Sequence, residues 1–412
     1  MLSSEILNAK REEFESYVTI TGIAVSLGTT KISTLEKVKT IKSGAVEVQA
    51  EAEKVVKGLG IKSTTVANIG ENIITNAALA VVKLILSYGV DPADIKTLVV
   101  ATETPQDISE SMAVEVKDAV NKVLAALNRR GYSFGQFEPL AQLHVQSACA
   151  SAGLAISNFA LNGINGGKAI VVATDSAEYA LHTPPDETGG FGSVAVLLEK
   201  TSSNTNGIML SSKIGHFSRK VPDFLKPIIK DLYGETGLEL VAKYPIVFGK
   251  FSEETYFLAD YESVKSIMRE MGKSISDLSL HNSLSFISHI PTVAMPEKAF
   301  AYLFRHFTRY DSELKSRLEA ELGGAAEPFL DGFTRIEDEL SFIMDFNGLY
   351  YSLVGVPKEL DARLGARDKN GNVELAERML NANRDLILRY IQNETREIAA
   401  RYKPTGELGA SL

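Results

Sequence analysis

From residue 71 to 90 the chain reads ENIITNAALAVVKLILSYGV, with apolar side chains at helical spacing and Gly89, then Asp91-Pro92, as a stop signal. That spacing predicts a helix. It leads into IKTLVVATET, a short β-branched run without polar interruption, as expected of a strand covered on both faces. The pattern recurs: an apolar helical run after Cys149 stops at NGINGG and gives way to KAIVVATDS, and SVAVLLEK follows a glycine-rich loop. Strand, helix and strand in that order predict an α/β sheet with parallel members. Helices are expected to dominate from about 257 to 320, around the Ser-rich apolar segment LSLHNSLSFISHIP. DKNGNVELAERMLNANRDLILRYIQNETREIAARY reads as a turn and one long amphipathic helix. The chain shows no fixed-period repeat and no low-complexity tract.

Composition adds bounds. With 412 residues, 45% hydrophobic and 23% charged, the chain can bury a substantial core as two domains or one pseudo-duplicated unit. A formal charge of -9 without a Lys/Arg-rich tract gives no footprint for nucleic acid. A single cysteine cannot close an intramolecular disulfide, and the start MLSSEILNAKREEFESYV is polar and charged rather than a signal peptide. No window approaches the roughly 18 to 20 apolar residues of a membrane span. The expectation is a soluble, cytoplasmic protein.

Three residue types carry candidate chemistry. Cys149, in QSACASAG, is the only thiol, and free cysteine is ordinarily a small buried hydrophobe. Here small residues at 150 to 153 and the helical run beyond place it near a helix N-terminus, where N–H groups and the helix dipole favour thiolate. Glu103 follows the apolar strand, where open α/β sheets bind ligands; the alternative is a capping or solvated acid. His289, in SFISHIPTVAMP, is delivered into a turn fixed by Pro291, but His281, eight positions earlier, is an equal candidate on spacing alone. NGINGGK is no phosphate loop, because the helix precedes it, and no cluster has metal-ligand spacing, so no metal and no cofactor is expected.

In that order and context the motifs resemble the 3-hydroxy-3-methylglutaryl-coenzyme A synthase family of thiolase-superfamily condensing enzymes. VVATET resembles the strand ending in the family's catalytic glutamate, at Glu103, and AC followed by small residues resembles its acyl-carrying cysteine motif, at Cys149, with Ala150 where many members have tyrosine. VVATDSAEYALHTPPDETGGFGSVAVLL is similar to the segment in which Asp175, Tyr179, Thr188 and Gly190 would belong to the substrate site, with Gly190 and Gly192 in the loop before the next strand. PDFLKP and YPIVFGKFSEETY match further landmarks and put an active-site aspartate at Asp223. SHIPTVAMPEKAF resembles the His-x-Pro motif, which selects His289 over His281 and adds Pro291 to the substrate site. Ala294 stands where the family usually has a lysine that helps hold coenzyme A, and the family's closing helix and strands have no counterpart after TGELGASL.

The resemblance implies the thiolase-like α/β fold, two pseudo-duplicated halves in layered packing (residues 1–200 with Cys149 and Glu103, and 201–412 with His289 and a helical insertion), lacking the C-terminal elements. It also implies a homodimer. The implied reaction condenses acetyl-CoA with acetoacetyl-CoA through an acetyl-cysteine, coenzyme A thioesters being substrates rather than cofactors, in the mevalonate pathway. The related β-branching synthases of polyketide assembly, whose substrates ride on acyl carrier protein, are the nearest alternative. A non-catalytic thiolase-like partner subunit is a third, from another class.

Overall fold

A computed structural model of the chain describes residues 17–41, 44–107, 109–138, 140–179, 184–201 and 206–218. It further describes 224–225, 228–229, 240–241, 245–247, 249–273, 287–293 and scattered positions from 295 to 320. The long helix expected near the C-terminus, His281, Ala294 and Asp223 lie outside the described residues. The chain divides into two units: residues 1–52, 61–178 and 186–214 form the first, and 53–60, 179–185 and 215–412 the second.

The first unit is built on a six-stranded mixed sheet in the order β5-β4-β6-β7-β1-β8. These are β1 (Tyr17–Leu27), β4 (Ile95–Thr102), β5 (Ala141–Gln146), β6 (Lys168–Ser176), β7 (Phe191–Thr201) and β8 (Ile208–Leu210). β2 (Thr30–Ser33) and β3 (Ser63–Val66) form a separate antiparallel pair. As the alternation of strands and helices predicts, β4 is parallel to both β5 and β6. β7 returns antiparallel between β6 and β1, so the sheet is mixed rather than parallel throughout.

The helices are α1 (Thr34–Ile41), α2 (Ala45–Leu59), α3 (Ile73–Tyr88), α4 (Met112–Asn128) and α5 (Ser151–Asn162), with α6 (Gly249–Glu270) in the second unit. Why α3 forms is plain from its ends. Asn72 accepts from the Thr75 N–H at 2.8 Å and the Thr75 hydroxyl accepts from the Asn72 N–H at 2.9 Å, a reciprocal capping box. Gly89 closes the helix in the left-handed region at φ 60, which a side chain would resist.

Both faces of β4 are covered, which is why it reads as a continuous apolar run. Leu98 and Val100 point into a cluster with Leu84 and Ile85 of α3 and Met112, Val116, Val120 and Leu124 of α4. Val99, between them, faces the other way and packs with Ala155 and Phe159 of α5 and with Val171 of β6. Each such large side chain contributes about 1.5–3 kcal/mol by leaving water, and Leu98→Ala would cost about 2–5 kcal/mol.

A buried polar network locks α3 to the ends of β1 and β6 and to the start of β7. The Asn76 amide donates to the Ser26 carbonyl at 3.1 Å and to the Ser193 hydroxyl at 2.9 Å, while its carbonyl accepts from the Ser26 hydroxyl at 2.6 Å. Thr174 donates to the Ile73 carbonyl at 2.7 Å. With its partners satisfied, such a network fixes one register of helix on sheet. That register sets where Asp175, next along β6, leaves the sheet.

Candidate active site

β4 and β5 run side by side in the same direction, with Thr102 paired to Gln146 at their last step. The chain therefore leaves both strands at one end of the sheet. Glu103 follows β4 immediately, and Cys149 sits in a 3-10 turn, Ala148–Ala150, between β5 and α5. The two meet: Cys149 Sγ donates to Glu103 Oε2 across 3.4 Å. Two residues 46 positions apart are thus brought into contact at the carboxyl ends of parallel strands, where α/β sheets hold their ligands.

Each partner is held from beneath. Asp175 Oδ1 accepts from the Glu103 N–H at 2.7 Å, the Thr104 N–H at 3.1 Å, the Thr102 hydroxyl at 2.9 Å and the Thr104 hydroxyl at 3.0 Å. One carboxylate oxygen thereby fixes the turn that presents Glu103. On the cysteine side, Ser151, only 2% exposed, accepts from the Ser147 N–H at 2.7 Å. Its hydroxyl lies 2.7 Å from the Ala148 carbonyl and 3.2 Å from that of Thr102, so it ties the cysteine turn to the end of β4. Ala148, just before the nucleophile candidate, adopts φ 47, a left-handed conformation that costs a non-glycine residue about 1–2 kcal/mol. The surrounding bonds hold that strain in place.

The electrostatics differ from the sequence expectation of a thiolate favoured by its helix. Cys149 is exposed as a residue, but its sulfur is shielded from water, and this desolvation, followed by the adjacent Glu103 carboxylate and then Asp175, pushes the thiol up to about 12. The backbone N–H at Cys149 acts in the opposite direction and is outweighed. The 3-10 turn explains the difference, since it sets the sulfur ahead of the first turn of α5, close to two acids. The resting group is a thiol hydrogen-bonded to a carboxylate. Burial also raises Asp175 above the ordinary aspartate value, against the lowering effect of its four donors.

Thr188 and Gly190 lie on the loop entering β7, whose Gly192 pairs with Asp175 and whose Phe191 pairs with Ser176. That loop is anchored: the Lys37 ammonium donates to the carbonyls of Asp186 at 2.9 Å and Gly189 at 3.0 Å, and the Gly190 carbonyl accepts from the Ala177 N–H at 2.8 Å. Tyr179, His289 and Pro291 belong to the second unit. Desolvation lowers the His289 imidazole below the usual histidine range, which favours its neutral form.

Ser151, Thr102, Thr104 and Lys37 are supporting residues that the sequence reading does not single out. The hydroxyls flanking Glu103 in TET were a usable signal, because a strand that ends in threonines can satisfy a neighbouring carboxylate. Lys37 carries no such signal, because it acts on carbonyls about 150 positions away.

A cysteine and a glutamate in contact above a mixed sheet, with a helix following the cysteine, bring a candidate nucleophile and a candidate base together. No family model matches the chain. It is 28% identical over 334 residues to the hydroxymethylglutaryl-CoA synthase of Haloferax volcanii, an alignment covering 76% of this chain and 67% of that one. It spans 38% to 57% of the length of seven further relatives named as hydroxymethylglutaryl-CoA synthases. Among solved structures, MvaS in complex with 3-hydroxy-3-methylglutaryl coenzyme A superposes with a TM-score of 0.57 at 22% identity, over 85% of this chain and 76% of that one. The curacin biosynthetic pathway HMG synthase in complex with acetyl donor-ACP superposes with a TM-score of 0.52 at 17% identity, over 74% of this chain and 66% of that one. The fold is thiolase-like. In sequence the chain is similar to hydroxymethylglutaryl-CoA synthases. Among the described residues no helix is long and apolar enough to cross a membrane.

Proposed function

We propose that this chain condenses an acetyl thioester with an acetoacetyl thioester to a 3-hydroxy-3-methylglutaryl thioester, with Cys149 as nucleophile and Glu103 as general base. The observation that carries the reading is the 3.4 Å contact of Cys149 Sγ with Glu103 Oε2 at the ends of adjacent parallel strands. The high thiol pKa makes Glu103 the first acceptor of the thiol proton. Sγ forms a bond to the acetyl carbonyl carbon, the donor's carbon–sulfur bond breaks, and the proton passes through Glu103 to the departing thiolate. Glu103, ionised again, takes a proton from the methyl of acetyl-Cys149. The enolate carbon attacks the C3 ketone of the second substrate, whose oxygen the His289 N–H polarises, and the proton that Glu103 took from the methyl neutralises the resulting alkoxide. Water then cleaves the cysteine thioester, restoring the thiol and releasing the free carboxylate of the product. Backbone N–H groups at the cysteine turn supply oxyanion donors, that of Cys149 among them.

Asp175, Thr188, Gly190, Tyr179, Asp223 and Pro291 belong to the substrate site in this reading. It needs no metal or cofactor beyond the thioesters and includes a homodimer in the cytoplasm. Acetyl-CoA and acetoacetyl-CoA of isoprenoid supply are the first choice of substrates, following the names of the curated relatives. Ala294, where the family usually has its coenzyme A lysine, favours a second choice, acyl groups carried on an acyl carrier protein, such as the acetyl donor-ACP in complex with the curacin pathway HMG synthase. Rates of acetoacetyl thioester consumption decide, measured with both groups on coenzyme A and then with both on carrier protein. Preference for either carrier selects that reading, and no consumption with either, by folded protein, contradicts both.

A further inference from the structure

In the second unit, α6 carries Tyr256, Phe257, Asp260 and Tyr261. Phe257 is buried, its ring stacks on Tyr302 at 6.1 Å, and Tyr261 meets Tyr302 edge-on at 6.0 Å. Tyr256 packs against this cluster, with its ring 6.3 Å from that of Phe257. An aromatic ring fixed in this way has little rotamer freedom, so its hydroxyl is held at a defined point. That hydroxyl donates to the His289 carbonyl at 2.7 Å and is also bonded to the Ser288 side chain.

The segment from 287 to 293 has no helix or strand to fix it. Its far end is tied by the Val293 N–H to the Leu59 carbonyl at 3.0 Å, at the C-terminus of α2. There Gly60, at φ 74, lets Val293 approach so closely that a Cβ would lie 2.5 Å from the valine Cβ. The histidine itself is four residues from that tie, and the bond reaching its own backbone comes from Tyr256.

We infer that Tyr256 is a positioning residue for His289, its anchored phenol hydroxyl holding the histidine carbonyl and so fixing where the imidazole stands. The inference rests on the role given to His289 in the proposed function, but the tether itself can be tested without turnover. Removing the hydroxyl frees the backbone at the histidine while leaving the Val293 tie and the aromatic cluster in place. Among the described side chains, the charged and titratable groups beside Tyr256 on α6 are Asp260, one turn on, and Tyr261.

The test uses the full chain as wild type, Tyr256→Phe, His289→Ala and the double variant, with melting temperature as the check that each folds. The first readout is the NMR titration of the His289 imidazole, assigned by its loss in His289→Ala. The wild-type group should titrate below ordinary histidine, and Tyr256→Phe should move it upward, back toward the ordinary value, as the loosened segment rehydrates. The second readout is condensation: Tyr256→Phe should lower kcat about tenfold, leave the rate of Cys149 acetylation unchanged, and have no further effect once His289 is alanine. An unmoved titration in folded Tyr256→Phe overturns the inference, as does a loss that multiplies fully with that of His289→Ala. His289→Ala with undiminished condensation would instead remove the role proposed for His289, while a moved titration would still establish the tether.

Discussion

The chain presents its candidate chemical groups in two ways. Glu103 and Cys149 stand on turns directly after parallel strands, each turn bolted to the sheet by buried groups: Asp175 under the glutamate and Ser151 under the cysteine. His289 stands on a segment without regular structure, tied through its carbonyl to a tyrosine of a neighbouring helix. A group that must hold one distance to its partner gains from a strand-end mount, where register sets its position. A group that greets an incoming substrate can be placed by a looser support that still allows adjustment. The same comparison explains the charges. Burial raises the Cys149 thiol first, and the strand-end pair adds two acids beside it that raise it further, whereas at His289 desolvation of the imidazole acts alone.

The comparison breaks most visibly at Glu103. Glu103→Gln should lower condensation about a thousandfold by removing the base. It should also bring the Cys149 pKa down from about 12, because the carboxylate that opposes the thiolate is gone. Alkylation of Cys149 by iodoacetamide at pH 8 should therefore speed up in the variant that has lost activity, and slower alkylation would contradict the account.

Next comes the support beneath it. Asp175→Ala leaves four donors around one vanished oxygen, and at about 1 kcal/mol net for each bond it should cost roughly 2–4 kcal/mol in urea denaturation. A loss below about 1 kcal/mol would show that water replaces the carboxylate and that the turn is not bolted.

In the second unit, Asp260 is pushed up to about 6 by burial. A carboxyl whose folded pKa is raised contributes its stability below the unfolded value near 3.8 and loses it as pH rises through about 6. Asp260→Asn should therefore raise the urea midpoint relative to wild type at pH 8 and make little difference at pH 3.5. The reverse dependence would mean that Asp260 is held by a favourable charge rather than by burial.

The smallest effect is expected at Ala148. Glycine there relieves a left-handed alanine at φ 47, partly offset by the freedom glycine gains in the unfolded chain, so Ala148→Gly should stabilise by up to about 1 kcal/mol.

Much of the first unit was legible in the sequence. The uninterrupted IKTLVVAT named β4 because both its faces are buried, and NAALAVVKLILSYG named α3 by its spacing and its glycine stop. β1 is not among the elements the pattern picks out. A bulge between Ile20 and Gly22 shifts its alternation, so Val18 faces one core and Ala24 the other. The antiparallel return of β7 was equally hidden, since the loop from 177 to 190 is long enough for either direction.

At the site, the chemistry-bearing types could be found one by one, but not what holds them. Asp175 reaches the Glu103 turn because the register of β4 on β6 pairs Ala101 with Ala173, a tertiary fact with no local period. The sign of the cysteine's pKa shift was misread for the same reason. The helix N-terminus is a local feature that sequence shows, whereas the burial that outweighs it, and the two carboxylates that add to it from 46 and 26 residues away, are tertiary.

The most direct test of the central claim, that Cys149 and Glu103 form one working pair, is the intact mass of the folded chain after brief incubation with acetyl-CoA or acetyl carrier protein. The account predicts one acetyl adduct on the wild-type protein with at least one donor and none on Cys149→Ala. An adduct that persists in Cys149→Ala, or no adduct from either donor on well-folded wild-type protein, would contradict it.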